Sequence, residues 1–291
     1  MASDSKGILH CRTKANTGKI FCFAAGLQIL QRLVLKRLLI LFYLLMPAFA
    51  LTAVPLKLYS YRDKGYSVGV LEGGRGPHVL LVHGLGVSRA SMQKLAGVMA
   101  SSGYHVILPD IPGQGTTERD ERRKYSVDAQ ARFLKRLLDH RRIDRAFVIG
   151  NSMGGHIAVS LALLHPQKVN KLVLISPAGL QNGGPLPYYK LEIPEDLEEK
   201  KKKNLEWNNY VRRDIHAGMH YPIDPYLAGI QSPTLIVWGE KDEILPVDLA
   251  PVWHRQIRAS RLIRLENLGH MPQDEDPELF LEQIRSFLKS G

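Results

Sequence analysis

The chain has 291 residues, 45% of them hydrophobic and 23% charged, which allows one large domain or two small ones and excludes disorder and collagen-like repeats. Only Cys11 and Cys22 are present, so the 269 residues that follow position 22 hold no thiol, and neither a disulfide framework nor a cysteine zinc site is available to them. Of the net charge of +11, +6 lies in residues 1–50; the body, at +5, is only mildly basic and has no arginine-rich block or nucleic-acid motif, which excludes nucleic acid as a partner.

In chain order the first feature is residues 38–56, a run of 19 residues without a charge, close to the ~20 that cross a bilayer core as a helix. Lys36 and Arg37 precede it, and Ala48-Phe49-Ala50 follows its most apolar part, which is the layout of a secretory signal with a small-residue cleavage site. Residues 1–56 are therefore expected to act as a signal peptide or membrane anchor, with 20–34 lying along the membrane surface, and to place residues 57–291 on the non-cytoplasmic side.

From about residue 58 short apolar runs alternate with longer helical stretches, the rhythm of βαβ units and a mostly parallel sheet. The pattern predicts strands at 78–82, 105–109, 146–150, 171–175, 234–238 and 261–265. It predicts helices at 88–102, 127–139, 153–165 and 277–289. The connection of about 55 residues before Thr234 contains an acid-then-lysine stretch, 195–203, that reads as a solvated helix with its charges matched to the dipole. Around it lie Tyr188, Tyr189, Trp207, Tyr210, Tyr221 and Tyr226, as packing or as substrate contacts.

The most informative segment is Gly150-Asn151-Ser152-Met153-Gly154, where a predicted strand meets a predicted helix. This G-x-S-x-G turn lifts a serine hydroxyl away from the sheet, and glycine two residues before and after relieves the crowding. The same turn aims the Met153 N–H at a developing oxyanion. A serine hydroxyl needs a base, and the base a carboxylate. Asp242 follows the strand at 234–238, with Glu240 as its rival, and His270 lies in the loop before the last helix, which completes the order Ser, Asp, His.

With these motifs, and with His83-Gly84-Leu85-Gly86 and Asp110-Ile111-Pro112-Gly113-Gln114-Gly115, residues of about 58–290 resemble the α/β-hydrolase fold superfamily. The likeness is greatest to its serine esterases, monoacylglycerol lipases and meta-cleavage-product hydrolases. The resemblance implies an α/β fold with a mostly parallel central sheet flanked by helices and a short lid at about 178–232. It implies the triad Ser152, Asp242 and His270, an oxyanion hole from the backbone N–H groups of Leu85 and Met153, a structural role for His83, and no metal or organic cofactor. Gln114 departs from the pattern, since histidine is usual there. The expected function is hydrolysis of carboxylic esters, lipid or monoacylglycerol esters foremost. The alternatives are C–C bond hydrolysis of ring-cleavage products and a non-catalytic binding protein on the same scaffold.

Overall fold

A computed structural model describes residues 54–180, 193–215 and 222–290. The expected signal or anchor at 38–56 lies outside the described residues but for its last three; among the described residues no helix is long and apolar enough to cross a membrane.

Eight strands form one sheet: β1 Lys57–Asp63, β2 Tyr66–Gly74, β3 His78–Val82, β4 His105–Pro109, β5 Ala146–Asn151, β6 Val169–Ile175, β7 Thr234–Gly239 and β8 Ser260–Leu265. Their spatial order is β1-β2-β4-β3-β5-β6-β7-β8, antiparallel at β1–β2 and β2–β4 and parallel elsewhere. The six predicted strands are the six parallel ones; every residue of β5 and β7 is buried, as strands covered on both faces must be, whereas the edge strand β8 buries only Leu265 fully.

Helices cover both faces. On one face α2, Val127–His140, and α3, Met153–Leu164, pack with Leu80 and Val82 of β3. On the other, α1, Gln93–Ser101, and the C-terminal helix Pro277–Lys289 pack with the alternate residues Val79 and Leu81. Ser126 caps α2 by accepting from the Ala129 N–H, and Asp276 caps the C-terminal helix by accepting from the Leu279 N–H.

The sequence pattern does not pick out the β1–β2 hairpin. Its strands are half polar, and its signal is the two-residue turn Lys64-Gly65, where both residues take positive φ, 52° and 90°, between the paired Asp63 and Tyr66.

The acid-then-lysine stretch also folds differently from the expectation. The helix is α4, Glu199–Ile215, so Lys200 to Lys203 fall in its first turns, and the dipole is matched by Arg212 and Arg213 at its far end. Exposed pairs of Lys201 with Glu198 and Lys203 with Glu199, both at 3.7 Å, offset the poor placement of the lysines. Trp207 and Tyr210 stack on each other and dock α4 on the loop after β4, Trp207 Nε1 donating to the Gly113 carbonyl and Tyr210 Oη to that of Glu121. Tyr188, Tyr189 and Tyr221 lie outside the described residues.

One carboxylate ties the antiparallel edge to the rest. Glu72 of β2 receives His105 Nε2 of β4 at 2.9 Å and Arg141 Nη2, after α2, at 2.6 Å. Burial pushes its pKa up, but the hydrogen bonds from His105 and Arg141 outweigh that and bring it from 4.5 down to about 2. A depressed folded-state value contributes stability above the unfolded-state pKa and loses it as pH falls toward the folded one. Glu72→Gln is therefore expected to flatten the fall of Tm between pH 4.5 and about 2, as read by circular dichroism melts across that window.

Candidate active site

Ser152 stands between β5 and α3 at φ 56° and ψ −121°, a backbone conformation that side chains rarely adopt. The neighbours enforce it. The Ser152 N–H donates to the Ile175 carbonyl of β6 at 2.9 Å, and its own carbonyl accepts from Gly155 and Ala178 at 2.9 and 3.0 Å. A Cβ on Gly150 would collide with the Gly154 carbonyl, and one on Gly154 with the carbonyls of Val82 and His83. The chain can make this turn only with glycine at both places.

Met153 is the first residue of α3, so its N–H has no partner inside the helix. In the facing loop the Leu85 N–H has no hydrogen-bond acceptor among the described residues, whereas the Gly86 N–H is taken by Gln114 Oε1 at 2.6 Å. The N–H groups of Leu85 and Met153 are thus both without an acceptor among the described residues. His83 is fully buried. Its Nε2 accepts from the Ile111 N–H at 2.9 Å, which leaves the proton on Nδ1, 2.8 Å from the Gly84 carbonyl. Burial holds its pKa below the ordinary value, so it is a neutral strut between two loops.

Asp242 follows β7 and its side chain is fully buried. Oδ1 accepts the N–H groups of Ile244 and Leu245 at 2.9 and 2.8 Å, and Oδ2 lies 2.8 Å from His270 Nδ1. Burial opposes ionisation here, but the hydrogen bonds from His270 and Leu245, the nearby imidazole charge and the buried Ser176 hydroxyl together hold the carboxyl below its ordinary value. A carboxylate accepting at Nδ1 fixes the proton there and leaves Nε2 of His270 as the basic nitrogen. The rival Glu240 turns to Arg264, 3.1 Å away, and is partly exposed.

Three residues outside the expected triad and donor pair hold this arrangement. Asn151 Nδ2 donates to the His270 carbonyl at 2.9 Å and joins the serine turn to the histidine loop. Glu275 accepts the N–H groups of Gly269 and Met271, at 2.7 and 3.0 Å, and so clamps the residues on both sides of His270. Gln114 touches both donor segments, Gly86 through Oε1 and the Met153 sulfur through Nε2 at 3.9 Å. The Asn151 contact with His270 and the Gln114 contacts join residues far apart in the chain, whereas Glu275, the last residue of the short helix Pro272–Glu275, bonds N–H groups only four and six positions away. Ser152 Oγ has no hydrogen bond among the described residues; such contacts often tighten only with substrate bound. No group of three or more His, Cys, Asp or Glu is placed to hold a metal ion among the described residues.

A family model described as the alpha/beta hydrolase fold matches residues 77–219. A 2-hydroxy-6-oxo-6-phenylhexa-2,4-dienoate hydrolase of Burkholderia cepacia is 28% identical over 81% of this chain and 96% of its own. Lipase 1 of Psychrobacter immobilis is 26% identical over 73% of this chain and 77% of its own. Among solved structures, a bacterial membrane phospholipase A superposes with a TM-score of 0.70 and 26% identity, covering 91% of this chain and 97% of that one. The chain belongs to the α/β-hydrolase fold superfamily.

In this α/β hydrolase the loop that carries His270 depends on a single side-chain carboxylate for two of its backbone donors. Hydrogen bonds to a charged group contribute about 1.5–3 kcal/mol each. Glu275→Ala is therefore expected to speed amide exchange at Gly269 and Met271 by about tenfold or more while leaving the β5 amides protected. Hydrogen exchange followed by mass spectrometry reads this directly, and unchanged protection at both amides would show that the clamp does not hold the loop.

Proposed function

We propose that this hydrolase cleaves carboxylic esters, lipid esters foremost, through an acyl-enzyme formed on Ser152. The observation that carries the reading is the buried Asp242 carboxylate holding the Nδ1 side of His270, in a loop that Asn151 ties to the serine turn. In this reading Ser152 Oγ attacks the ester carbonyl and His270 Nε2 takes its proton. The oxyanion lies against the N–H groups of Leu85 and Met153, where preorganised donors in a water-poor site stabilise developing charge by several kcal/mol, about 3 or more. Collapse expels the alcohol, which takes the proton from His270, and water repeats the cycle on the acyl group. Asp242 stays ionised throughout and stabilises the imidazolium.

The likeness to a lipase and to a membrane phospholipase A supports a lipid ester as substrate. A second reading, hydrolysis of a C–C bond in a ring-cleavage product, has the support of the Burkholderia cepacia relative and would use the same residues.

Ser152→Ala is expected to abolish labelling by a fluorophosphonate probe and to lower turnover by about 10⁴-fold or more. Asp242→Asn is expected to be comparably severe, about 10⁴-fold, because it stabilises the wrong imidazole tautomer, and Glu240→Gln to change turnover less than about tenfold. Full labelling of the alanine variant would remove Ser152 from the reaction, and the reverse ranking of the two acids would reassign the carboxylate.

The substrate is tested by kcat/KM for p-nitrophenyl esters from acetyl to palmitoyl, with one monoacylglycerol and one ring-cleavage product alongside. Each buried CH₂ is worth ~0.8 kcal/mol, so a pocket for acyl chains should gain roughly fourfold per methylene until the chain outgrows it. A maximum at acetyl with no turnover of the monoacylglycerol would leave a small-ester hydrolase. Turnover of the ring-cleavage product with no gain from added methylenes would select the second reading.

A further inference from the structure

Away from the serine turn, a cavity of about 440 Å³ opens between the β1–β2 turn, the segment before α2 and the side of α2 itself. Six of its lining residues are cations, Lys64, Arg122, Arg123, Lys124, Arg132 and Arg136, and one is an acid, Asp63. Asp63 is buried and fully engaged: Oδ2 meets Arg123 Nη2 at 2.7 Å and Arg136 Nη2 at 2.9 Å, and Oδ1 meets Arg136 Nε at 2.7 Å. Arg122 is held by Asp120 from outside the lining. Lys64, Lys124 and Arg132 have no acid within ion-pair distance among the described residues.

The surplus is not only on the surface. Arg123 is nine-tenths buried, lies over the faces of Tyr66 and Phe133, and has one guanidinium nitrogen, Nη1, with no hydrogen-bond partner. Burial pulls that guanidinium below its ordinary pKa even with Asp63 beside it. Gln130, 1% exposed in the same wall, gives its amide N–H to the Tyr125 carbonyl and leaves Oε1 unpartnered. Buried polar groups normally find a partner, and the Arg123 Nη1 donor is the one an anion's oxygen would complete, whereas Gln130 Oε1 is an acceptor and makes no hydrogen bond to an anion.

We propose that this cavity binds a phosphate group. Arginine forks match its oxygens, lysines add point charge, and a group carrying close to two negative charges offsets part of the excess that Asp63 and Asp120 leave. The position adds a reason for such a site. β2 runs antiparallel to both of its neighbours, so β1 runs parallel to β5, and Asp63, the last residue of β1, lies at the same edge of the sheet as Ser152 at the end of β5. β1 and β5 are four strand spacings apart in the sheet, about 19 Å at ~4.8 Å per strand. A phosphate held here therefore sits along the rim on which substrate reaches the serine. The phosphate may belong to a free solute or to the headgroup of an anionic lipid, two sources with one chemistry.

The test uses the full chain and does not depend on the ester reading. Binding of inorganic phosphate is measured by isothermal titration calorimetry at low ionic strength. Binding to vesicles of phosphatidylcholine, with and without phosphatidic acid, is measured by sedimentation. Lys124→Gln with Arg132→Gln removes two exposed, unpaired cations and leaves the Asp63 pairs intact, and Arg255→Gln with Arg258→Gln removes the same charge from an exposed site elsewhere. The proposal expects the first pair to weaken binding by about tenfold and the second pair to leave it within about twofold. Such a loss with inorganic phosphate identifies a soluble ligand, and the same loss seen only with phosphatidic acid vesicles identifies a headgroup. Equal binding by both pairs of variants, or no binding of either probe by the native chain, would overturn it.

Discussion

The φ of 56° at Ser152 is the constraint on which the rest of the site depends. A residue with a side chain held in that region costs on the order of 1–3 kcal/mol, and the strain persists only because the surroundings leave no other path. β5 must end there, α3 must begin one residue later, and the turn must pass so close to the end of β3 that Gly154 lies against the carbonyls of Val82 and His83. That contact does more than admit the turn. It fixes the loop after β3 relative to the serine, so that a Cβ on Gly84 would stand 3.4 Å from that of Ser152.

Polar struts then keep that packing in register. His83 and Gln114 brace the loop after β3 from the loop after β4, through the Ile111 N–H and the Gly86 N–H. Gln114 accepts through an amide oxygen that does not titrate, where a histidine would exchange its acceptor for a donor on protonation. The Gly86 contact is thus held by a group that does not titrate. On the other side Asn151 and Glu275 hold the histidine loop from two directions, one through the His270 carbonyl and one through its flanking N–H groups.

How much of this was legible in the sequence follows the range of the interactions. The inner parallel strands were legible because a strand buried on both faces has to be apolar, and the serine turn because local sterics demand glycine at 150 and 154. Asp242 and His270 were legible by their loops and chain order alone. The hairpin was not, since its two strands are half exposed and a Lys-Gly turn is a weak signal. The start of α4 was misplaced because charge order suggested a short helix over 195–203, whereas docking of Trp207 and Tyr210 on the loop after β4 extends it to Ile215. Asn151 and Gln114 act through partners 119 and 28 positions away, pairings that no local pattern encodes, whereas those of Glu275 lie only four and six positions away.

The charge of the body shows the same limit with a functional consequence. Read along the chain, an excess of +5 over residues 51–291 is unremarkable, and Arg122-Arg123-Lys124 is a shorter run of cations than Lys200 to Lys203. Folding gathers that short run with Lys64 from the hairpin turn and with Arg132 and Arg136 from α2, segments up to 72 positions apart. The hairpin makes this possible. Because β2 reverses direction against both neighbours, β1 is returned to the direction of the parallel strands, and its last residue, the one acid among the cations, comes to the rim where the parallel strands end. A single antiparallel reversal would have left the chain end of the outer strand on the opposite edge, away from the serine. Two reversals put charge and nucleophile on one edge of the sheet.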